Sequence, residues 1–164
     1  MKTIQVKKGE ILQHAGEPIK FGYKVNKGLL RSYTIDEKGK EHVFIFAPEG
    51  WYISDMDAQI NGGNTELFID ALEDSELEAT PSSDFNLDQL VTTNEDTVRL
   101  IKRAAVLQRR VIMLMSASAR ERYEHFIKTY KTIVNRVPQR MIATYLGITP
   151  EALSKIRGEM AREK

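Results

Sequence analysis

The hydrophobic pattern changes character roughly halfway along the chain. Up to residue 80, apolar side chains come in short runs rich in β-branched and aromatic residues, at 8–12, 23–25, 29–35, 41–46, 67–71 and 75–80. Turn-forming clusters at 15–18, 26–28, 36–39, 48–50 and 61–64 separate them. Strands this short, punctuated this often, predict an antiparallel sandwich or jelly roll.

Beyond residue 80 the period lengthens to that of helices. Pro81, Ser82, Ser83 and Asp84 read as a capped turn leading into a short helix through Phe85, Leu87 and Leu90. A long helix should follow from about Asn94 to Met115, with Thr93 or Asn94 as its cap. Along it Val98, Ile101, Ala105, Gln108, Ile112 and Met115 recur at alternating three and four residue steps, a heptad-like seam. Leu100, Ala104, Leu107, Val111 and Leu114 form a second apolar stripe. A helix apolar on two sides needs two partners. The expected partners are the sandwich and a second copy of the chain, so the seam predicts a homodimer interface. The plainer alternative is a helix packed on its own sandwich. A further helix is expected over residues 118–133.

The last segment reads as two short helices joined by a tight turn. Pro138 suits a first helical turn. Met141, Ile142, Tyr145 and Leu146 define one buried face, and Gly147 permits the positive φ that stops the helix. Thr149 and Pro150 restart it as a hydroxyl cap and a first-turn proline. Leu153, Ile156 and Met160 share the inner face of the second helix, and Glu151, Ser154, Lys155, Gly158 and Arg162 the outer one. Small Ala143 lets the two helices cross closely. Any helical hairpin carries some of these signals. Their combination, with polar groups able to reach base edges, indicates a DNA-reading helix-turn-helix.

Charge sharpens this picture. The net charge of +1 conceals an acidic stretch, 9 Lys or Arg against 18 Asp or Glu in residues 1–96, and a basic one, 15 against 5 in residues 97–164. A basic end fits contact with a phosphate backbone, though a solvated helix surface also carries such charge. With no cysteine there is no disulfide, thiolate metal site or iron–sulfur cluster. No signal peptide or membrane-length apolar run is evident, and a cytoplasmic protein without membrane partners is expected.

The order of these features resembles the Crp/Fnr family of bacterial transcription regulators. The resemblance runs through residues 7–12, Gly16 and Glu17, residues 25–33, residues 46–52, and Ile142 to Ile156. It implies a mixed α+β fold: a cyclic-nucleotide-binding-like jelly roll (1–92), a long dimerisation helix (93–116) and a helix-turn-helix domain (117–164). Neither a C-terminal wing nor the helix usual before the first strand is expected in this chain. The resemblance places Thr149, Pro150, Glu151, Ser154 and Lys155 at the start of the recognition helix. Glu151 and Lys155 match base-reading positions, and Gln139 a phosphate contact. Arg140 and Arg157 are further phosphate contacts on charge alone. Double-stranded DNA and a second copy are the expected partners, with RNA polymerase a further one.

The expected effector pocket holds Trp51, Tyr52, Ser54, Asp55, Thr65 and Glu66. There the sequence departs from the nucleotide-binding members, because Thr65 and Glu66 stand where Arg-Ser is usual. No Lys or Arg lies between Lys40 and Arg99, while 14 Asp or Glu do. A buried phosphate needs a cation or several oriented N–H groups, so control by a cyclic nucleotide is not expected. No cofactor or metal is expected either. The competing functions are a regulator gated by another small molecule and a cupin-type metal enzyme. His42 alone in its strand supplies too few ligands for the latter, and His14 or His42 as a haem ligand is weaker still.

Overall fold

The computed structural model describes residues 2–84 and 94–163, with the backbone alone at 94–96, 99, 100, 102 and 103. The helix expected through Phe85, Leu87 and Leu90, the Thr93 cap and the Leu100 side chain lie outside the described residues. The chain divides into two compact units, Met1–Val91 and Thr92–Lys164.

The first unit is two antiparallel four-stranded sheets, with strand orders β1-β8-β3-β6 and β2-β7-β4-β5. The strands are β1 Lys2–Val6, β2 Ile11–Gln13, β3 Phe21–Lys27, β4 Leu30–Ile35, β5 Glu41–Ala47, β6 Tyr52–Ile53, β7 Phe68–Ala71 and β8 Ser75–Pro81. A short helix, α1 (Met56–Asn61), follows β6. Alternation puts Val25, Leu30, Ile69 and Leu77 in the dry space between the sheets, with Trp51 packed against them.

Several elements depart from the sequence expectations. Lys8 and Gly9 form a turn, and the strand there starts only at Ile11. The first strand is instead Lys2–Val6, an edge strand registered Lys2↔Ala79 to Val6↔Ser75, whose only signal was Ile4 alternating with Val6. Both β6 and α1 are too short for a periodicity window. The local sign of α1 is Asp55 as its cap, with Gly62 at its end.

The second unit holds α2 (Asn94–Ser116), α3 (Ala119–Thr129), α4 (Gln139–Leu146) and α5 (Pro150–Arg162). The last three pack on one another in every pairing. Ser118 and Glu121 start α3 with a reciprocal capping box. That helix stops at Thr129 rather than reaching Ile133. Tyr130 leaves helical geometry at φ −117°, and the β-branched Thr132, Ile133 and Val134 follow in i→i+3 turns. Phe126, Tyr130 and Tyr145 build the aromatic core, with ring centroids 5.1 to 5.6 Å apart.

Val98, Ile101, Ala105, Gln108, Ile112 and Met115 are exposed, and so are Ala104, Leu107, Val111 and Leu114. Within the helical unit, the described positions of both stripes are left uncovered. Among the described residues of α2, Met113 is buried.

Candidate nucleic-acid interface

Pro138 caps α4 from outside it, with extended ψ of 137° and its carbonyl accepting from Met141 and Ile142, one position earlier than the sequence suggested. Gly147 ends α4 in the left-handed region at φ 66°. The Ile148 N–H bonds back to Ala143 O at 3.0 Å and the Gly147 N–H to Thr144 O at 3.2 Å, closing a Schellman turn. Two residues later the Thr149 hydroxyl accepts from Ala152 N at 3.2 Å and starts α5, with Pro150 at its first turn. Ala143 is fully buried where the helices meet. The tight turn therefore follows from Gly147, Thr149 and Pro150 locally.

Burying Leu153 and Ile156 turns the opposite face of α5 outward. Glu151, Ser154, Lys155, Gly158 and Glu159 are exposed and, with Pro150 and Arg162, make up the outward face of α5. Their spacing of three and four residues makes one continuous strip, wide enough to present side chains to a groove of duplex DNA. Lys155 lies 3.9 Å from Glu159, an exposed pair that costs little to separate. Thr149 sits at the head of this strip. Gln139 and Arg140 are exposed on the first turn of α4, and Arg157 is half-buried beside the strip. Glu159 joins the strip without having been singled out in the sequence.

Two arginines missed in the sequence hold this unit together. Arg110 of α2 lies over the Tyr145 ring, 4.0 Å from its centroid. Arg122 of α3 donates to backbone carbonyls of α2, the linker and α4. Neither position belongs to a local motif, because both act through residues distant in sequence.

The expected effector pocket is organised around Asp55. Its carboxylate accepts from Asp57 N (3.1 Å), Ala58 N (3.3 Å), Thr65 Oγ1 (2.6 Å) and Glu66 N (3.3 Å). Donors of the kind that hold a phosphate oxygen are thus taken by the chain's own anion. Ser54 donates to Gln59 at 2.7 Å, Thr65 is buried and Glu66 is exposed. Trp51 packs on the sandwich core. Tyr52 pairs with Lys24 and lies against Gly22, where a Cβ would stand 1.6 Å from its hydroxyl. These two aromatics are built into the sandwich.

The histidines are engaged singly. His42 Nε2 lies 2.8 Å from Asp36, and His14 meets Phe68 edge-on at 5.9 Å. Among the described residues no group of three or more His, Asp or Glu gathers as a metal site, and no helix is long and apolar enough to cross a membrane.

No protein-family model matches the chain. Individual proteins do. The chain is 29% identical to electron transport regulator A of Shewanella oneidensis, over 96% of its own length and 68% of the relative's. It is 28% identical to the fumarate and nitrate reduction regulatory protein of Escherichia coli, over the same shares. Among solved structures, a CRP/FNR-family transcriptional regulator from Thermus thermophilus superposes with a TM-score of 0.76 at 22% identity, covering 99% of this chain and 87% of that one. FixK2 from Bradyrhizobium japonicum gives 0.77 at 20% identity, with coverage of 99% and 85%. Along nearly its whole length the chain is thus similar in sequence to these two regulators, and its jelly roll and helix-turn-helix follow in the order of the CRP/FNR-family fold.

Proposed function

We propose that the chain acts as a homodimer that binds a two-fold-symmetric DNA site through the outer face of α5. The observation that carries this is the exposed strip of Glu151, Ser154 and Lys155, aligned by the Thr149 cap at the start of the helix. Thr149, Pro150 and these three residues meet base edges, while Gln139, Arg140 and Arg157 meet phosphates. The uncovered apolar residues of α2, Val98, Ile101 and Ile112 among them, support a second copy as the dimer partner. RNA polymerase is the protein partner through which such a dimer would act on transcription. Selection of genomic fragments by the purified protein at low salt tests the reading. A palindromic consensus is expected, and absence of any enriched sequence overturns it.

The dimer is not switched by cyclic nucleotides. The Asp55 carboxylate in the donor cluster supports this, since a phosphate there would have to displace it. Calorimetry with cyclic AMP and cyclic GMP should record no binding heat, and saturable heat would refute the point.

A regulator gated by another small molecule is the second reading, favoured by one observation. The Ser32 hydroxyl, buried in β4, has no hydrogen-bond partner among the described residues, which is costly unless something supplies one. Native mass spectrometry of protein purified from cells should then show a bound mass, and a bare chain counts against it.

A further inference from the structure

We propose that Arg122 is a positioning residue that fixes the helix-turn-helix on the end of α2. The inference rests on the reading of the chain as a dimeric DNA reader. It concerns how the two reading heads are held at a set spacing.

The last carbonyls of any helix lack intrahelical partners and concentrate its negative end. In α4 the Schellman turn uses those of Ala143 and Thr144. The remaining two are met by arginines from other helices. Arg110 Nη2 of α2 donates to Tyr145 O at 3.4 Å, and Arg122 Nη1 of α3 donates to Leu146 O at 3.1 Å.

Arg122 does more than complete α4. Its Nη2 donates to Leu114 O at 2.9 Å, in the last turn of α2, and its Nε to Ala117 O at 3.0 Å, in the linker. One planar cation therefore joins the C-terminal ends of two helices and the linker. Three divergent donors on a rigid fork suit guanidinium and not ammonium. The contact extends to the reading turn itself. A Cβ on Gly147 would lie 3.6 Å from Arg122 Nη1 and 3.9 Å from the Leu114 side chain. The turn that starts the recognition helix thus rests on the end of the long helix.

The consequence is geometric. Rotating the head about the linker breaks the hydrogen bond from Arg122 to Leu146 or the one to Leu114. A dimer gains from its second half-site only if both heads face the duplex at the right separation. Arg122 touches no DNA in this account. It sets the direction in which Lys155 points relative to the dimer axis.

The test compares Arg122→Ala with wild type on two duplexes, one carrying the full palindrome and one a single half-site. The expected result is a loss on the order of tenfold or more on the palindrome, with half-site affinity unchanged within about twofold. Equal losses on both duplexes, or none on either, overturn the proposal. If circular dichroism shows Arg122→Ala to be unfolded, Arg122→Lys decides the matter. It keeps the charge but cannot span three carbonyls, so it should also lose affinity on the palindrome alone. Failure of wild type to prefer the palindrome over the half-site would instead refute the dimeric reader on which the inference rests.

Discussion

Arg31 and Asp70 meet side-on across the β4–β7 pair, with Nε 2.8 Å from Oδ1 and Nη2 2.9 Å from Oδ2. Both are buried, Glu41 takes the third guanidinium nitrogen, and the Tyr33 ring lies 4.0 Å below. Neutralising Asp70 leaves the buried guanidinium with Glu41 as its one carboxylate partner in this cluster and two of its nitrogens facing a neutral amide. Asp70→Asn should therefore destabilise the protein by about 3 kcal/mol in chemical denaturation. Replacing both, Arg31→Met with Asp70→Leu, should cost less than the single change.

The start of α5 gives a second expectation. The Thr149 hydroxyl satisfies the Ala152 N–H, one of the donors left open at a helix start. Thr149→Ala should lower stability by about 1 kcal/mol, read as a lower denaturation midpoint. Thr149→Ser, which keeps the oxygen, should restore most of it.

Acid sensitivity follows from how the charged groups are held. Hydrogen bonds hold several carboxylates below their ordinary range: from His42 on Asp36, from Lys7 on Asp74, from the Ser118 backbone on Glu121 and from Arg120 on Glu163. Their contribution is fully present above pH about 4, the ordinary carboxylate value, and is lost as pH falls through the lowered folded values. His125 is also held low, chiefly by burial and then by Arg109 and Lys128. The unfolded chain therefore takes up its proton first, and stability also declines below pH about 6.5. His125→Gln should flatten that upper limb and leave the lower one, in denaturation midpoints measured from pH 8 to pH 3.

The apolar stripes of α2 predict an assembly phenotype. Ile101 is 62% exposed and Ile112 54%, a poor arrangement for a lone helix. Ile112→Asp should leave the fold intact and convert the protein to monomer in sedimentation velocity. An unchanged dimer would remove this face from the interface.

What the sequence disclosed divides by range of interaction. The helix-turn-helix was legible because Gly147, Thr149 and Pro150 each act on their own few residues. Strands β3 to β5 and β7 to β8 were legible from alternation and turns. Strand β1 was hidden because an edge strand shows little beyond Ile4 and Val6. The Arg122 contacts span up to 24 residues, to Leu146, and leave no local pattern. Along α2, apolar spacing says that a partner is needed but does not name it. At the expected effector pocket, Asp55 and Thr65 were singled out by the family resemblance alone, while the carboxylate's occupation of its donors is a matter of three-dimensional geometry.

The most direct test of sequence-specific DNA reading is the ratio of dissociation constants for a scrambled duplex and the selected palindrome, measured across salt concentration for wild type and Lys155→Ala. Wild type should show a ratio on the order of 10³ or more, with both affinities falling steeply as salt rises. Lys155→Ala should reduce the ratio by roughly tenfold. A wild-type ratio near one, or a ratio untouched by Lys155→Ala, would contradict the assignment of α5 as the reading helix.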